Sequence, residues 1–442
     1  MQEEHTKRAV GDENIVTPTR RCFIKKTAAA AIVAAAGPGM LTKYARAAPR
    51  TIKVGLVSSQ TGPLAAFAEA DEFIIGGVRK AVKDGIMVNG VNHPVQILVK
   101  DSQSDPNRAT QVTTELIKSD NVDLILTGGH LNTVNAVSDQ AELNGVPCVA
   151  TDAPWQAYFF GRGGKPDKGF DWTYLFFWGL EDLVAVYLDI WRRLPTNKIV
   201  GGLWPNDISG ATFSDEKLGL PTPMRASGFT VVDPGRFDAA TSDYSAQISV
   251  FKRSNVEIIT GVLSPSAFST FWSQAAQQNY KPKIATIAAA LLFPAGVNIL
   301  GDRGDGLTTE VFWSPAFPYK SGLTGQTAAQ LAADWERETG KQWTQPMGPK
   351  HAVLEVGLDV LRRTKNIDSP EAIRDAILAT DYHSMLGHVQ WTGKPVKNVT
   401  KTPLVGGQWV KPKHSEKYKY DLLVVSNDTD PEIKIQAAMK SL

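Results

Sequence analysis

Three short polar segments carry residue types that could bind a small molecule through hydrogen bonds. They read SSQTGP at residues 58–63, GGHLNT at 128–133 and ATDAPW at 150–155. Each follows a run of apolar and β-branched residues that predicts a buried strand. In open α/β sheets, ligands bind beyond the carboxyl ends of such strands, where the next helix presents free N–H groups. We therefore expect the three segments to form one binding site.

The candidate binding residues are mostly small and polar, with an aromatic residue a few positions beyond the Gly-Pro pair. Asn132 and Thr133 stand at a predicted helix start, where amide and hydroxyl groups converge on an anion. Each candidate also has a structural interpretation, as a helix cap, a turn residue or a loop residue without a task. Their joint occurrence in matching loops favours binding. These candidates are Ser59, Gln60, Phe67, His130, Asn132, Thr133, Ala150, Thr151, Asp152, Ala153 and Trp155.

The sequence lacks the familiar motifs of covalent and metal-assisted catalysis. It has no Gly-x-Ser-x-Gly, no His-Glu-x-x-His and no Gly-rich phosphate loop with a lysine, and its 7 histidines lack metal-ligand spacing. The net charge of +2 gives no strong field to attract nucleic acid or an anionic membrane. We expect no catalytic residue, metal, cofactor or nucleic-acid partner.

The elements that must position these residues alternate between strand and helix patterns from Ile52 onwards. Runs such as TIKVGLV, VDLILTGG, NKIVGGLW and VEIITGVL are each followed by an amphipathic stretch. Asp105 and Pro106 fit the N-cap and first position of one helix, and Gly145 ends another. The alternation predicts an α/β fold with two doubly wound parallel-sheet lobes joined by a multi-strand hinge.

We expect the chain to divide between the two lobes in four parts. Residues 51–175 form the first part of lobe 1, and residues 176–284 form the first part of lobe 2. Residues 285–382 return to lobe 1, and residues 383–442 complete lobe 2 and the C-terminal tail. Two such lobes leave a cleft along the carboxyl ends of both sheets, which is a preferred place for a ligand.

The N-terminal segment has the features of an export signal. The adjacent Arg20 and Arg21 precede an Ala-rich stretch that ends in the small-residue site 45–47. The segment resembles a twin-arginine signal peptide over residues 1–47, cleaved near Ala47, and predicts a periplasmic mature protein. The apolar run is shorter than the ~20 residues that a membrane-spanning helix needs.

Cysteine usage agrees with an exported chain that relies on packing alone. Cys22 lies inside the expected signal, so Cys148 is the one cysteine of the expected mature protein. This excludes a disulfide within that chain. The apolar neighbours of Cys148 in GVPCVAT predict a buried and unreactive thiol.

Ordered segments over residues 51–430 carry a resemblance to a known family. They are GLVSSQTGPLAAFA, DPNRATQVTTELI, AVSDQAELNGVPCVATDAP, SPSAFSTFWSQA, GHVQWTG and GQWVKP. Together they resemble the Leu/Ile/Val-binding family of type I periplasmic substrate-binding proteins of ABC importers. The resemblance implies that Asn132, Thr133, Ala150, Thr151 and Ala153 hold a ligand carboxylate or equivalent polar group. It also implies that Phe67 covers the body of the ligand.

The second lobe departs from the pattern of amino-acid-binding members. Where those members carry a Glu after the Pro of a strand-to-helix turn, this chain has Ser266 after Pro265. The partner of an α-ammonium group is then missing, unless Asp152 or Asp207 replaces it. Trp204 offers an aromatic wall for a flat or apolar ligand, although interlobe packing is an equally good interpretation of this residue.

The expected function is therefore that of a periplasmic receptor that closes on a small organic solute. The partners expected are an inner-membrane ABC permease with its ATPase, and the twin-arginine translocase during export; the receptor is expected to be a monomer. Branched-chain amino acids, amides and aromatic carboxylates fit the site, and a carboxylate or amide with an apolar or aromatic body is favoured. The alternatives are an exported enzyme that uses the same cleft and a ligand-sensing receptor domain.

Overall fold

The computed structural model describes residues 49–412 and 417–442. The expected signal peptide at residues 1–47, with its arginine pair and Cys22, lies outside the described residues. Among the residues that are described, no helix is both long and apolar enough to cross a membrane.

The strands fall into two large sheets and two small hairpins. They are β1 (Ile52–Ser58), β2 (Ile86–Val88), β3 (Val91–His93), β4 (Val95–Asp101), β5 (Leu124–Thr127), β6 (Cys148–Ala150), β7 (Thr173–Phe176), β8 (Ile199–Leu203), β9 (Thr230–Val232), β10 (Ile258–Leu263), β11 (Ile284–Ala289), β12 (Thr308–Val311), β13 (Asp381–Ser384), β14 (Gly387–Gln390), β15 (Val399–Thr400), β16 (Val405–Val410) and β17 (Asp421–Ser426).

Most helices connect successive strands, as the alternating sequence pattern predicts. They are α1 (Asp71–Ala81), α2 (Pro106–Lys118), α3 (Leu131–Asn144), α4 (Trp155–Phe159), α5 (Leu180–Arg192), α6 (Ile208–Phe213), α7 (Pro221–Ala226), α8 (Ser245–Arg253), α9 (Pro265–Gln277), α10 (Pro294–Asn298), α11 (Ala328–Thr339), α12 (Met347–Arg363) and α13 (Pro370–Leu378). Short 3₁₀ helices cover Ala65–Ala68 and Gly301–Gly304.

Local sequence signals set the helix ends where they were predicted. The Asp105 side chain accepts a hydrogen bond from the Arg108 amide, and Pro106 opens α2. Gly145 ends α3 in the left-handed conformation, with a φ of 66°, which glycine adopts without steric cost. Cys148 is fully buried in β6, and burial raises the pKa of its thiol to about 12. The prediction of a buried thiol is confirmed.

The first sheet has six parallel strands in the order β15-β7-β6-β5-β1-β4, and it forms the centre of lobe 1. The second has seven strands in the order β17-β16-β12-β11-β10-β8-β9 and forms the centre of lobe 2. Its last two strands along the chain, β16 and β17, run antiparallel to their neighbours. The predicted α/β fold with two doubly wound lobes is confirmed, with this antiparallel edge added.

The chain changes lobe later than the expected boundaries. Residues 285–382 were assigned to lobe 1, but β11 and β12 pair within the lobe 2 sheet, which therefore extends to Val311. Residues 383–442 were assigned to lobe 2, but Val399–Thr400 pairs with β7 in lobe 1. An apolar run predicts a buried strand without indicating which sheet it joins, because long-range pairing decides that.

Three segments carry the chain between the two sheets. The first follows β7 at residues 177–179, the second follows β12 at Phe312, and the third lies between β15 and β16 at residues 401–404. The rings of Phe177 and Phe312 are in edge contact, with centroids 5.4 Å apart. The first two crossing segments are thus packed against each other between the two sheets.

Candidate ligand-binding site

The strand register of lobe 1 brings all three of the predicted polar loops together. Val57 of β1 is paired with Thr127 of β5, and Thr127 is paired with Ala150 of β6. Since these strands are parallel, the loops that follow them leave the same edge of the sheet. The chain passes from β1 to β4 on one side and then to β5 on the other, so the topological switch point lies between β1 and β5.

Lobe 2 has an equivalent switch point. The chain passes from β8 to β9 on one side of the sheet and then to β10 on the other. The loop after β8 carries Asp207, and the loop after β10 carries Ser264 and Pro265. Doubly wound sheets bind ligands at such points, and here the loops of both switch points line one cavity.

That cavity has a volume of about 470 Å³ and is lined from both lobes. A smaller one of about 70 Å³ lies next to it and extends to the crossing segments, with Phe67 and His130 lining both. Here we call the two cavities together the cleft. Five predicted site residues line it, namely Phe67, His130, Asn132, Asp152 and Asp207.

Several other predicted residues lie in lobe 1 without lining the cleft, and their polar groups bond within the protein. The Thr133 hydroxyl donates to the His130 carbonyl at 3.1 Å, and the Thr151 hydroxyl donates to the Phe176 carbonyl at 3.0 Å. The buried Ser59 hydroxyl lies 3.0 Å from that of Ser102. Ala150 and Ala153 are fully buried. In this conformation these residues stabilise the loops of lobe 1 and do not line the cleft.

The remaining predicted residues are also outside the lining of the cleft. The Trp155 indole donates to Glu181 at 2.9 Å, and Trp204 is fully buried. Gln60 is exposed, and its backbone N–H donates to the Asp101 carboxylate. Ser266 is exposed on the first turn of α9, and its hydroxyl lies 3.1 Å from that of Ser264.

Asp152 is the most unusual polar residue of the cleft. Its side chain is 6% exposed, it has a φ of 61°, and its two oxygens have no hydrogen-bond partner of normal geometry among the described residues. Burial raises the pKa of its carboxyl to about 7, while the positive charge of Lys350 lowers it, the negative charge of Asp71 raises it and the nearby Gly129 amide lowers it. A non-glycine residue with positive φ is strained, and such strain is often found at binding sites.

The positive charge that lowers the pKa of Asp152 is that of Lys350, and this lysine already has its own hydrogen-bond partners. The buried Lys350 of α12 donates to the Ser58 hydroxyl at 2.6 Å and to the Asp71 carboxylate at 3.1 Å. Both members of the Lys350–Asp71 ion pair are almost fully buried. One lysine therefore faces two carboxylates, and Asp152 is the one that it does not contact.

His130 forms part of the wall and also caps α3. Its Nδ1 accepts the Asn132 amide at 3.4 Å, and its ring is in edge contact with Phe67, with centroids 5.7 Å apart. Burial lowers the pKa of His130 to about 4, against a smaller raising effect of Asp207. The imidazole is therefore neutral at neutral pH.

Lobe 2 also contributes residues beyond β11, which are not among the candidates predicted from the sequence. Phe293, which precedes α10, is in edge contact with Phe67 across the cleft, with ring centroids 5.0 Å apart. Glu310 of β12 is buried in the smaller cavity, where its carboxylate accepts from the Tyr187 hydroxyl at 2.6 Å. Burial raises the pKa of Glu310. A charged residue within the apolar run TTEVFW was a usable signal for Glu310, whereas Phe293 resembles any core aromatic.

Two α/β lobes that direct their switch points into a shared cleft define a protein that encloses a small solute between them. The chain belongs to the family described as periplasmic binding protein, whose sequence pattern matches residues 51–412. The expected type I periplasmic binding protein fold is thereby confirmed. Family membership implies a periplasmic location and a binding function.

Solved structures share this fold at low sequence identity. A leucine-binding protein from Thermotoga maritima is 18% identical, with a TM-score of 0.64 over 85% of this chain and 99% of that one. A branched-chain amino acid transporter substrate-binding protein from Streptococcus pneumoniae, in complex with isoleucine, is 15% identical (TM-score 0.66, 89% and 99% covered). A solute-binding protein of an ABC transporter from R. palustris, in complex with 4-hydroxybenzoate, is 17% identical (TM-score 0.68, 86% and 97%).

Proposed function

We propose that this protein is the periplasmic solute-binding receptor of an ABC importer. It captures a small organic solute in the cleft and delivers it to an inner-membrane permease with its ATPase. The observation that carries this proposal is the cleft itself, whose walls come from both switch points. It holds a buried carboxylate that has no hydrogen-bond partner among the described residues. The solutes named for similar folds, isoleucine and 4-hydroxybenzoate, are of the size class that we propose here.

Closure of the lobes supplies the signal that the permease reads. Only a conformation in which both lobes contact the solute gains binding energy from both sides, so the solute shifts the population towards it. The packed crossing segments beside the cleft suit a hinge, because Phe177 and Phe312 line the smaller cavity and lie between the two sheets. A monomer is sufficient for this cycle.

The test uses the chain that lacks residues 1–47, freed of bound solute by unfolding and refolding. A solute that binds should raise the melting temperature, compact the protein in small-angle X-ray scattering and be recovered unchanged by mass spectrometry. Chemical turnover of the bound compound would instead favour the exported enzyme, which is the second hypothesis.

We further propose export through the twin-arginine translocase, with cleavage near Ala47. Replacing Arg20 and Arg21 together with lysine should keep the full-length precursor in the cytoplasm, because the translocase reads the arginine pair. Cell fractionation and immunoblotting measure this. The double replacement of Lys25 and Lys26 with arginine is the matched control, and it should leave the mature protein in the periplasm.

A further inference from the structure

We propose that the solute is a small organic cation with N–H donors and an apolar or aromatic body, bound through its ammonium or amidinium group to Asp152. This inference rests on the proposed receptor function and names the class of its solute. It departs from the expected carboxylate and amide head groups, because neither of these carries a positive charge.

The first observation is the state of the Asp152 side chain. It is more than nine-tenths buried, lines the smaller cavity and has no hydrogen-bond partner of normal geometry for either oxygen among the described residues. Lys350 does not satisfy it, since its ammonium group is bonded to Ser58 and Asp71. Buried carboxylates are normally paired or hydrogen-bonded. An N–H-bearing cation supplies the hydrogen bonds and the positive partner that the described residues do not give to Asp152.

The second observation is the charge of the whole cleft. Among its described lining residues, Asp152, Asp207 and Glu310 are acidic and none is a lysine or arginine. His130 adds no positive charge at neutral pH, as described above. An anionic solute would enter a buried site with no compensating charge, which is costly, whereas a cation is attracted.

The third observation concerns the donors that a carboxylate would need. Of the helices that begin at the cleft, α3, α6 and α9 have a side-chain cap, whereas α4 and α10 begin there without one. His130 accepts an amide of α3, Asp207 accepts the Gly210 amide of α6 at 2.7 Å, and Ser264 accepts the Ala267 amide of α9 at 3.2 Å. The hydroxyls of Thr133 and Thr151 are also bonded to carbonyls.

The fourth observation is the aromatic wall around Asp152. The smaller cavity is lined by Phe67, Phe177, Trp178, Phe213 and Phe312. Aromatic faces attract desolvated organic cations in addition to burying apolar surface. The Trp178 indole N–H has no partner among the described residues, and Trp178 lines this same cavity.

The experiment compares solutes that share one body and differ in charge. Calorimetric titrations at about pH 8 use 2-phenylethylammonium, 3-phenylpropionate and phenylalanine, then isopentylammonium and 4-methylpentanoate as an aliphatic pair. Binding by at least one cation, tighter by about 10-fold or more than its matched anion, is the expected result. Tighter binding of the anion or of the zwitterion, or no binding by either cation, would overturn the inference.

Two variants test whether Asp152 is the partner. Asp152→Asn keeps the shape and removes the charge, and it should weaken cation binding by about 100-fold. Asp428→Asn, which replaces an exposed aspartate far along the chain in the C-terminal tail, should leave the affinity unchanged. An Asp152→Asn protein that melts cooperatively and binds the cation like the wild type contradicts the inference.

The pH dependence gives a second readout. The groups that face Asp152 are Lys350 and Asp71 behind it and His130 and Glu310 across the smaller cavity. The cation should bind more tightly at about pH 8 than at about pH 6, because Asp152 must be ionised. If an anion binds and closes the lobes, the cation inference fails while the receptor function stands; a cleft that turns its solute over contradicts the receptor function itself.

Discussion

Asp152 combines three features, each of which is unfavourable for the stability of the folded, ligand-free protein. Its backbone is in the left-handed region, its carboxylate is buried and its oxygens lack partners among the described residues. Each of these costs free energy in the ligand-free protein. A binding site retains such unfavourable features because the ligand compensates for them when it binds. This is the physical reason for placing the solute at Asp152.

Replacing Asp152 with Asn is expected to stabilise the ligand-free protein at alkaline pH. The pKa of this carboxyl is raised from 3.8 to about 7 by burial in the folded protein. Both states hold the proton below about pH 4, so the penalty is absent there; it grows as the pH rises and is complete above about pH 7. The variant should gain about 4 kcal/mol at about pH 8 and almost nothing at about pH 4.

Urea unfolding of the wild type and the variant at both pH values measures this difference. Asp428→Asn serves as the control, with equal stability expected at either pH. A variant that is no more stable than the wild type at about pH 8 contradicts the assignment of a strained, ionised carboxylate to this position.

At the scale of elements, three of the helices that begin at the cleft, α3, α6 and α9, have a side-chain cap at their first turn. In α9 the Ser264 hydroxyl accepts the Ala267 amide, and Pro265 occupies the first helical position. Ser266 lies in the place where amino-acid-binding relatives were expected to carry a glutamate, and its hydroxyl bonds that of Ser264. Ser266 carries no charge, and it gives this capped helix a second hydroxyl.

Ser264→Ala should lower the free energy of unfolding by about 1 kcal/mol, because an orphan amide loses its acceptor. Ser266→Ala is the matched control two positions along, and it should change stability by less than about 0.5 kcal/mol because its hydroxyl accepts no helix amide. Chemical denaturation monitored by tryptophan fluorescence compares the two. Equal effects of both replacements would show that the cap does not stabilise α9.

At the scale of the whole molecule, the lobes meet through aromatic rings as well as through the chain crossings. Phe67 of lobe 1 touches His130 of the same lobe and Phe293 of lobe 2, at ring centroid separations of 5.7 and 5.0 Å respectively. This contact lies in the cleft, so the same ring contributes to lobe closure and to the surface that a solute meets.

Phe67→Ala should weaken solute binding by about 10-fold and shift the ligand-free protein towards an open form, because an interlobe aromatic contact is lost. Titration calorimetry measures the affinity, and the radius of gyration from small-angle X-ray scattering measures the opening. Phe73→Ala is the control, since Phe73 pairs with Trp335 and lines neither cavity of the cleft. If both variants bind and scatter alike, Phe67 does not hold the lobes together.

The sequence by itself determined the local structure and the first-lobe half of the cleft. The Asp105 cap, the Gly145 terminus and the polar loops after β1, β5 and β6 depend on nearest neighbours and on strand periodicity, both of which are written along the chain. Four of the predicted binding residues, namely Phe67, His130, Asn132 and Asp152, line the cleft for that reason.

Only the tertiary structure decided which sheet β11 and β12 join, and hence that Phe293 and Glu310 face the same cleft as Phe67 and Asp152. It also decided that the hydroxyls of Thr133 and Thr151 donate to carbonyls, while Asp152 has no hydrogen-bond partner within the part of the chain that the structure describes. Burial and hydrogen-bond satisfaction are properties of groups brought together from distant parts of the chain, so no local pattern encodes them.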